Sequence, residues 1–356
     1  MAPAPPATLF DKLDLFSVLL KTTVVALTRL LSAPVRSGSR PTGLFKDVVY
    51  AALRYQMSNV TLTQEKWMNP DTQANYLDLA KQRNFQPDTL LLSSGCKAHW
   101  LGDKTAEKTI VYFHGGGYVL PCSPGHFRWL LDLSKDLAMS TSISSVVLHY
   151  TCAPEGQYPT QLRQAVELLD HLINKEGRRP SNIIIAGDSA GANLAMCVLS
   201  HVLHPHPDIS TKLELSEPFR AALLISPYVD FDVDQTSFNR NQGLDFVTKE
   251  VGVRWSSAFV GNAPKDAYFQ PLLADDAWFS KLDTAISDLL IWGGSGEVLI
   301  DSIRRLADKL KRGFPKAELI IEPGAAHEEF IIERLLGYNH KAQGAQVIES
   351  WLSARL

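Results

Sequence analysis

The chain is poor in cysteine. Only Cys96, Cys122, Cys152 and Cys197 occur in 356 residues, and no Cys-x-x-Cys pair is present. That spacing argues against a zinc ligand set and a disulfide framework, and it reads as buried thiols in a reducing compartment. Charge of one sign is also lacking. Thirty-five Lys+Arg against 38 Asp+Glu give a net charge of −3, with no basic surplus to grip nucleic acid and no charged tail. There is no internal repeat and no low-complexity tract. Long uncharged hydrophobic runs are missing too: the most apolar stretch, Leu15 to Leu31, is broken by Lys21 and Arg29, short of the roughly 20 residues a membrane span needs. What remains is 45% hydrophobic and 21% charged, enough to bury a sizeable core and incompatible with global disorder.

Within the amino-terminal stretch, Leu20, Val24, Leu27 and Leu31 recur at helical spacing, while Ser17, Lys21, Thr28 and Ser32 fall on another face. The pattern predicts an amphipathic helix packed on its own protein, with a reversible membrane-surface anchor as the alternative and a true span least favoured. Asp11 and Asp14 offset Lys12 and no cleavage site follows, so a signal peptide is not expected. The expected location is cytoplasmic, with peripheral membrane contact if the helix is an anchor. Met1 to Pro6 is expected to fray.

Beyond residue 85 the pattern changes. Six short apolar runs stand out: Thr109–Phe113, Ser145–Tyr150, Ile183–Ala186, Ala221–Ile225, Leu289–Trp292 and Glu318–Ile321. Continuous apolar runs of this length suit strands covered on both faces of a parallel sheet. Helical patterns alternate with them over Phe127–Met139, Leu162–Lys175, Gly191–His204, Asp301–Arg312 and Ala342–Leu356. Strand–helix alternation implies an α/β fold with a mostly parallel central sheet flanked by helices. About 60 residues separate the fourth and fifth strands, too many for a plain crossover. The expected organisation is a helical segment over 1–90 that contributes to a cap, a core over 91–227 and 288–356, and a cap insertion over 228–287. Trp255, Phe259, Tyr268, Phe269, Trp278 and Phe279 make that insertion aromatic.

The chemistry concentrates in three places. Gly187-Asp188-Ser189-Ala190-Gly191 follows the third run and opens a helix, the strand–turn–helix setting of a nucleophile elbow. A plain glycine turn before an ordinary helix would look the same in isolation. His114-Gly115-Gly116-Gly117 follows the first run, 75 residues before Ser189. A glycine triplet is entropically costly and marks a close backbone approach. The N–H groups of Gly116 and Gly117, with that of Ala190, could hold an oxyanion. A phosphate loop is the rival, but neither Gly-x-Gly-x-x-Gly nor Gly-Lys-Ser/Thr follows. His114 is expected to hold the loop rather than act as a base. A serine hydroxyl needs a base, and His327, after the sixth strand, fits the chain order serine, acid, histidine. His340 follows no strand. The acid should follow the fifth strand, where Glu297 sits at a loop tip and Asp301 lies four residues on. Glu297 is preferred, because a hydrogen bond to the imidazole needs a loop position, while a helix-start role fits Asp301 as well as Glu297 or better.

These motifs resemble the hormone-sensitive-lipase branch of the α/β-hydrolases, carboxylesterases and lipases with a helical cap. The resemblance runs from about Lys97 to the end. It rests on His114–Gly117, on Gly187–Gly191, on Tyr150-Thr-Cys-Ala-Pro-Glu155 for Y-R-x-A-P-E, on Ser226-Pro-Tyr-Val-Asp230 for S-P-W-x-D, on Gly294–Asp301 for G-x-x-D-x-L-x-D, and on Gly324–His327 for G-x-x-H. Three departures stand out: glutamate rather than aspartate at 297, softening at Thr151, Cys152 and Gln164, and Glu328 where glycine is frequent. The amino-terminal style, with Ala98-His99-Trp100, resembles fungal members, some of which serve natural-product pathways. The resemblance implies a serine esterase acting through an acyl-enzyme on a small-to-medium apolar ester, with no metal and no organic cofactor. Two alternatives share the fold: non-hydrolytic conversion of a pathway intermediate by cyclisation, condensation or elimination, and a small-molecule receptor.

Overall fold

The computed structural model describes residues 7–35 and 40–356; Met1–Pro6 lies outside the described residues. Four helices come first: α1 (Leu9–Ser32), α2 (Leu44–Asn59), α3 (Leu62–Met68) and α4 (Thr72–Arg83). Strands β1 (Asp88–Leu91), β2 (Lys97–Leu101) and β3 (Lys108–Phe113) follow, then α5 (Pro124–Leu137), β4 (Ile143–His149), α6 (Thr160–Asp170), β5 (Ile183–Asp188) and α7 (Ala190–Leu203). The chain continues through β6 (Ala221–Ile225), α8 (Thr236–Asn241), α9 (Lys249–Val260), β7 (Leu289–Gly294), α10 (Ile300–Gly313), β8 (Ala317–Glu322), α11 (Glu329–Leu335) and α12 (Gln343–Ser353).

The eight strands form one sheet in the order β1-β2-β4-β3-β5-β6-β7-β8. From β4 to β8 every pairing is parallel, and β1 and β2 add an antiparallel edge. The six apolar runs are the six parallel strands. They are buried because helices cover both faces: α6, α7 and α10 pack one side, and α5, α11 and α12 the other. Helix α7 is buried on almost every face, as its near-uniform apolar composition requires.

Two elements depart from the sequence pattern. The β1–β2 hairpin is not signalled by an apolar run, since Lys97-Ala-His-Trp-Leu mixes polar and apolar residues. It is fixed from outside: the Tyr76 hydroxyl on α4 donates to the Trp100 carbonyl (2.7 Å) and accepts from the Asp88 amide (2.8 Å). The second departure is α1. Its packed face carries the buried Leu15 and Val18, and the expected packing stripe Leu20, Val24, Leu27 and Leu31 is instead 54–79% exposed. The inward face is held by the Arg29 guanidinium pairing with the buried Asp47 on α2 (Nε–Oδ2 3.0 Å) and by Leu15 and Val18 packing with Val60. By length and composition α1 could cross a membrane, with a mean hydropathy of 1.5 over 18 residues of which 11% are buried. The charge interruptions therefore do not exclude a span on that criterion.

Candidate active site

Ser189 sits at the turn between β5 and α7 with φ 48° and ψ −114°, a conformation an L-residue holds only under constraint. Glycine on either side is obligatory. A Cβ on Gly191 would lie 1.9 Å from the Phe113 carbonyl oxygen, and one on Gly187 would lie 2.4 Å from the Gly191 carbonyl carbon. The turn is tied down by the Ser189 amide donating to Ile225 (2.8 Å). Ala190 opens α7, and first-turn amides have no acceptor one turn back.

His327 follows β8. Its Nε2 lies 3.0 Å from Ser189 Oγ and its Nδ1 lies 3.0 Å from Glu297 Oε2. Glu297 follows β7, is fully buried, and accepts through Oε1 from the Ser226 hydroxyl (3.1 Å) and the Gly294 amide. Asp301 is elsewhere: it accepts from the Ser237 amide (2.9 Å) and pairs with Arg240 (2.8 Å), so it braces α8 against α10. His340 is exposed and lies 3.6 Å from Glu333.

The His114–Gly117 loop lies beside the serine. Gly116 and Gly117 have φ of 95° and 60° and line the same cavity as Ser189. His114 is wholly buried and stacks on Tyr150 at 4.1 Å, while the Tyr150 hydroxyl donates to the His114 carbonyl (2.9 Å). Burial pushes its imidazole down to about 3, so it stays neutral and serves the loop. A Cβ on Gly115 would fall 2.1 Å from Asp188 Oδ2. Asp188 itself is fully buried. It accepts from His126 (2.9 Å) and from the Tyr112 hydroxyl, and these contacts outweigh burial and hold its carboxyl below the usual range.

Asn241 and Asp245 join the site without having been candidates in sequence, and Glu328 and Ser226, seen there only as a departure and as part of a motif, take specific places in it. Glu328 takes a left-handed conformation (φ 49°), lies 5% exposed, and places Oε1 3.4 Å from His327 Nε2. Burial and the neighbouring charge of Asp188 push its carboxyl up to about 7. Burial disfavours a charged His327, but Glu328 and Glu297 overcome this and hold the imidazole well above its ordinary value. Ser226 binds Glu297 and also accepts from the Glu328 amide (3.2 Å). Asp245 is buried in the insertion and accepts from the amides of Phe246 (2.8 Å), Val298 (2.7 Å) and His327 (3.4 Å). Asn241 donates to the carbonyls of Ser295 (3.0 Å) and Glu297 (2.8 Å). The insertion therefore braces both acidic and basic loops. A buried acid within Leu244-Asp-Phe-Val247 was the signal available in sequence.

A cavity of about 380 Å³ opens over Ser189, lined largely by apolar side chains, among them Met57, Met68, Phe246, Trp255 and Ile332. Of the insertion's aromatics named from sequence, Trp255 lines it; Phe259 stacks on Tyr118 (3.8 Å), and Phe269 and Phe279 pack in the core. Among the described residues, His126, Asp188 and Glu328 bring potential metal-ligand atoms within 4.8 Å of one another. Hydrogen bonds already engage the first two: the Ser123 amide donates to His126 Nδ1 (3.1 Å), which leaves Nε2–H to donate to Asp188.

Known proteins similar to this chain are hydrolases and esterases. An acetyl-hydrolase of Streptomyces hygroscopicus is 29% identical over 233 residues, 64% of this chain and 71% of that protein. An esterase of Acinetobacter venetianus is 28% identical over 62% of this chain and 67% of its own length. A crystal structure of an esterase from the bacterial hormone-sensitive lipase family superposes with a TM-score of 0.63 at 21% identity, covering 100% of this chain and 99% of that one. The family model described as the alpha/beta hydrolase fold matches residues 110–331, more than half of the sequence, and the chain belongs to that family.

Proposed function

We propose that this protein is a serine carboxylic-ester hydrolase of the hormone-sensitive-lipase-like type, with Ser189 as nucleophile, His327 as base and then acid, and Glu297 as the orienting acid. One observation carries the reading: a single imidazole held 3.0 Å from a strained serine hydroxyl and 3.0 Å from a buried carboxylate, beside an apolar cavity. His327 takes the Ser189 proton as Oγ attacks the ester carbonyl. Glu297 fixes the Nδ1–H tautomer and stabilises the imidazolium. Gly116, Gly117 and Ala190 donate to the tetrahedral oxyanion, each such donor being worth about 10²–10³ in rate. His327 then protonates the leaving alcohol, and water, deprotonated by the same imidazole, cleaves the acyl-enzyme. This route requires no metal or cofactor. The apolar lining and the esterase and acetyl-hydrolase names of the relatives support a small-to-medium apolar ester. A place in natural-product metabolism rests on the sequence resemblance. The test is turnover of p-nitrophenyl acetate and butyrate against the Ser189→Ala variant. Turnover that vanishes in the variant supports the reading. Equal rates in both proteins, with water-free conversion of a pathway intermediate, would overturn it in favour of non-hydrolytic chemistry.

We also infer that α1 seats the enzyme on a membrane surface. Its outward face carries Phe10, Leu13, Phe16, Leu20, Leu27 and Leu31, all more than half exposed, a face that water disfavours and a lipid interface accepts. Flotation with phosphatidylcholine vesicles should carry the protein upward, and Phe16→Ser with Leu20→Ser should leave it at the bottom. Wild-type protein remaining at the bottom would contradict this.

A further inference from the structure

We propose that Trp255 walls off the acyl side of the cavity, restricting the acyl group to a few carbons and leaving the other side for a bulky apolar alcohol, and that Glu65 holds the indole in place. The inference rests on the ester-hydrolase reading and deepens it.

Trp255 lies on α9, over the oxyanion loop. A Cβ on Gly117 would fall 2.1 Å from Trp255 Cε3 and 2.7 Å from Cδ2, so the indole lies flush against the backbone that would hold the oxyanion. The ring is not free to swing. Its Nε1–H lies 3.1 Å from each oxygen of Glu65, on α3, 190 residues earlier in the chain. Glu65 is 3% exposed and pairs with Arg254 (2.6 Å), whose guanidinium also donates to the Met57 carbonyl on α2 (2.7 Å). Turning the indole away would strip a buried carboxylate of one donor, which is strongly unfavourable. The amino-terminal helices and the insertion thus meet at this side chain, and both Glu65 and Trp255 line the cavity.

Strand order gives the wall its side. Gly117 follows β3, Ser189 follows β5 and His327 follows β8, so the oxyanion loop and the imidazole approach the serine from opposite directions along the sheet. The leaving oxygen must face His327 Nε2, because that nitrogen returns the proton. With the leaving oxygen so placed and the oxyanion held by the glycine amides, the acyl substituent takes the remaining direction, away from His327 and past the oxyanion loop, where the indole stands. On the His327 side the lining is Leu53, Met57, Phe246, Val247 and Ile332, which cluster around the loop bearing Ala326 and His327. Apart from Glu328 beside the imidazole, that surface is apolar, and methionine adapts to irregular shapes, which suits a bulky hydrocarbon alcohol.

The experiment is a chain-length series of p-nitrophenyl acetate, butyrate and octanoate, read as kcat/KM, with fluorophosphonate labelling of Ser189 as the check on a folded site. Wild type should favour acetate. Trp255→Ala should raise the octanoate-to-acetate ratio by about tenfold or more, since each methylene admitted to an apolar pocket carries a large factor, and Trp255→Phe should raise it by less. Glu65→Leu should shift the ratio in the same direction. Glu65→Gln should restore the wild-type ratio, because its amide oxygen still accepts from the indole, a rescue that loss of fold alone would not produce. For the alcohol, cyclohexylmethyl acetate should be cleaved with a higher kcat/KM than ethyl acetate, which releases an alcohol of similar basicity. A wild type that prefers octanoate, or a labelled Trp255→Ala enzyme with an unchanged ratio, overturns the acyl wall. Preference for ethyl acetate overturns the alcohol assignment. A wild type that neither labels nor turns over any ester overturns the underlying ester-hydrolase reading instead.

Discussion

The sheet and the cap shape the same cavity by different means. Each group assigned to the chemistry hangs from the end of a parallel strand: the oxyanion loop from β3, Ser189 from β5, Glu297 from β7 and His327 from β8. Neighbouring strands fix that backbone on both sides of β3, β5 and β7, and β7 fixes β8 along one side. The cap has no such frame. Its shape depends on side chains that reach across the chain, such as Glu65 to Trp255, Arg254 to Met57, and Asp245 to Val298 and His327. On the proposed reading, the sheet sets what reaction can occur, while the cap sets which molecule arrives and how firmly the late loops are held.

Substitutions can break this contrast. The largest effect belongs to the sheet: Glu297→Ala should lower kcat by about 10³–10⁴, the scale set by losing the group that fixes the histidine tautomer, measured on p-nitrophenyl acetate. A loss below tenfold would move the orienting role elsewhere. Next is Glu328→Gln. The base must be neutral to accept the serine proton. Glu328 beside Nε2 favours the charged imidazolium and thereby sets the acid limb of the pH–rate profile at higher pH. Removing that carboxylate should move the limb to lower pH, and a limb that stays put contradicts the assignment. Smaller again is Asp245→Asn, which replaces one acceptor oxygen among four backbone amides, those of Phe246, Val247, Val298 and His327. A buried unmet partner costs about 1–3 kcal/mol, so thermal unfolding should occur a few degrees lower while kcat falls less than about tenfold. The smallest is Asp301→Ala. It breaks a half-exposed ion pair with Arg240, worth about 0–1 kcal/mol, and activity should stay within about twofold. Equal losses at Asp301 and Glu297 would erase the distinction between a brace and a relay.

The same contrast governs what the sequence makes legible. The six parallel strands are visible as apolar runs because burial on both faces demands them. Ser189, Glu297 and His327 can be named because each follows such a run, and glycines mark the turns. The β1–β2 edge is not visible, since Tyr76 holds it through contacts made only after folding. Helix α1 shows its period but not its orientation: the inward face carries Leu15, Val18 and the Arg29–Asp47 pair, while the more apolar stripe stays exposed. Glu65 and Asn241 leave little trace in sequence, Ser226 shows only as the start of the Ser226–Asp230 motif and Asp245 only as an acid in an apolar stretch, because their roles arise from pairings between distant segments. Glu328 is visible as an unusual residue beside the histidine, but its approach to Nε2 depends on a left-handed backbone.

The most direct test of the convergence of Ser189, His327 and Glu297 is intact-mass measurement of the folded protein after brief exposure to a fluorophosphonate. The account predicts one adduct, mapped to Ser189, absent in Ser189→Ala and formed far more slowly in His327→Ala. An adduct that forms at the same rate without the imidazole, or that maps to another residue, would contradict it.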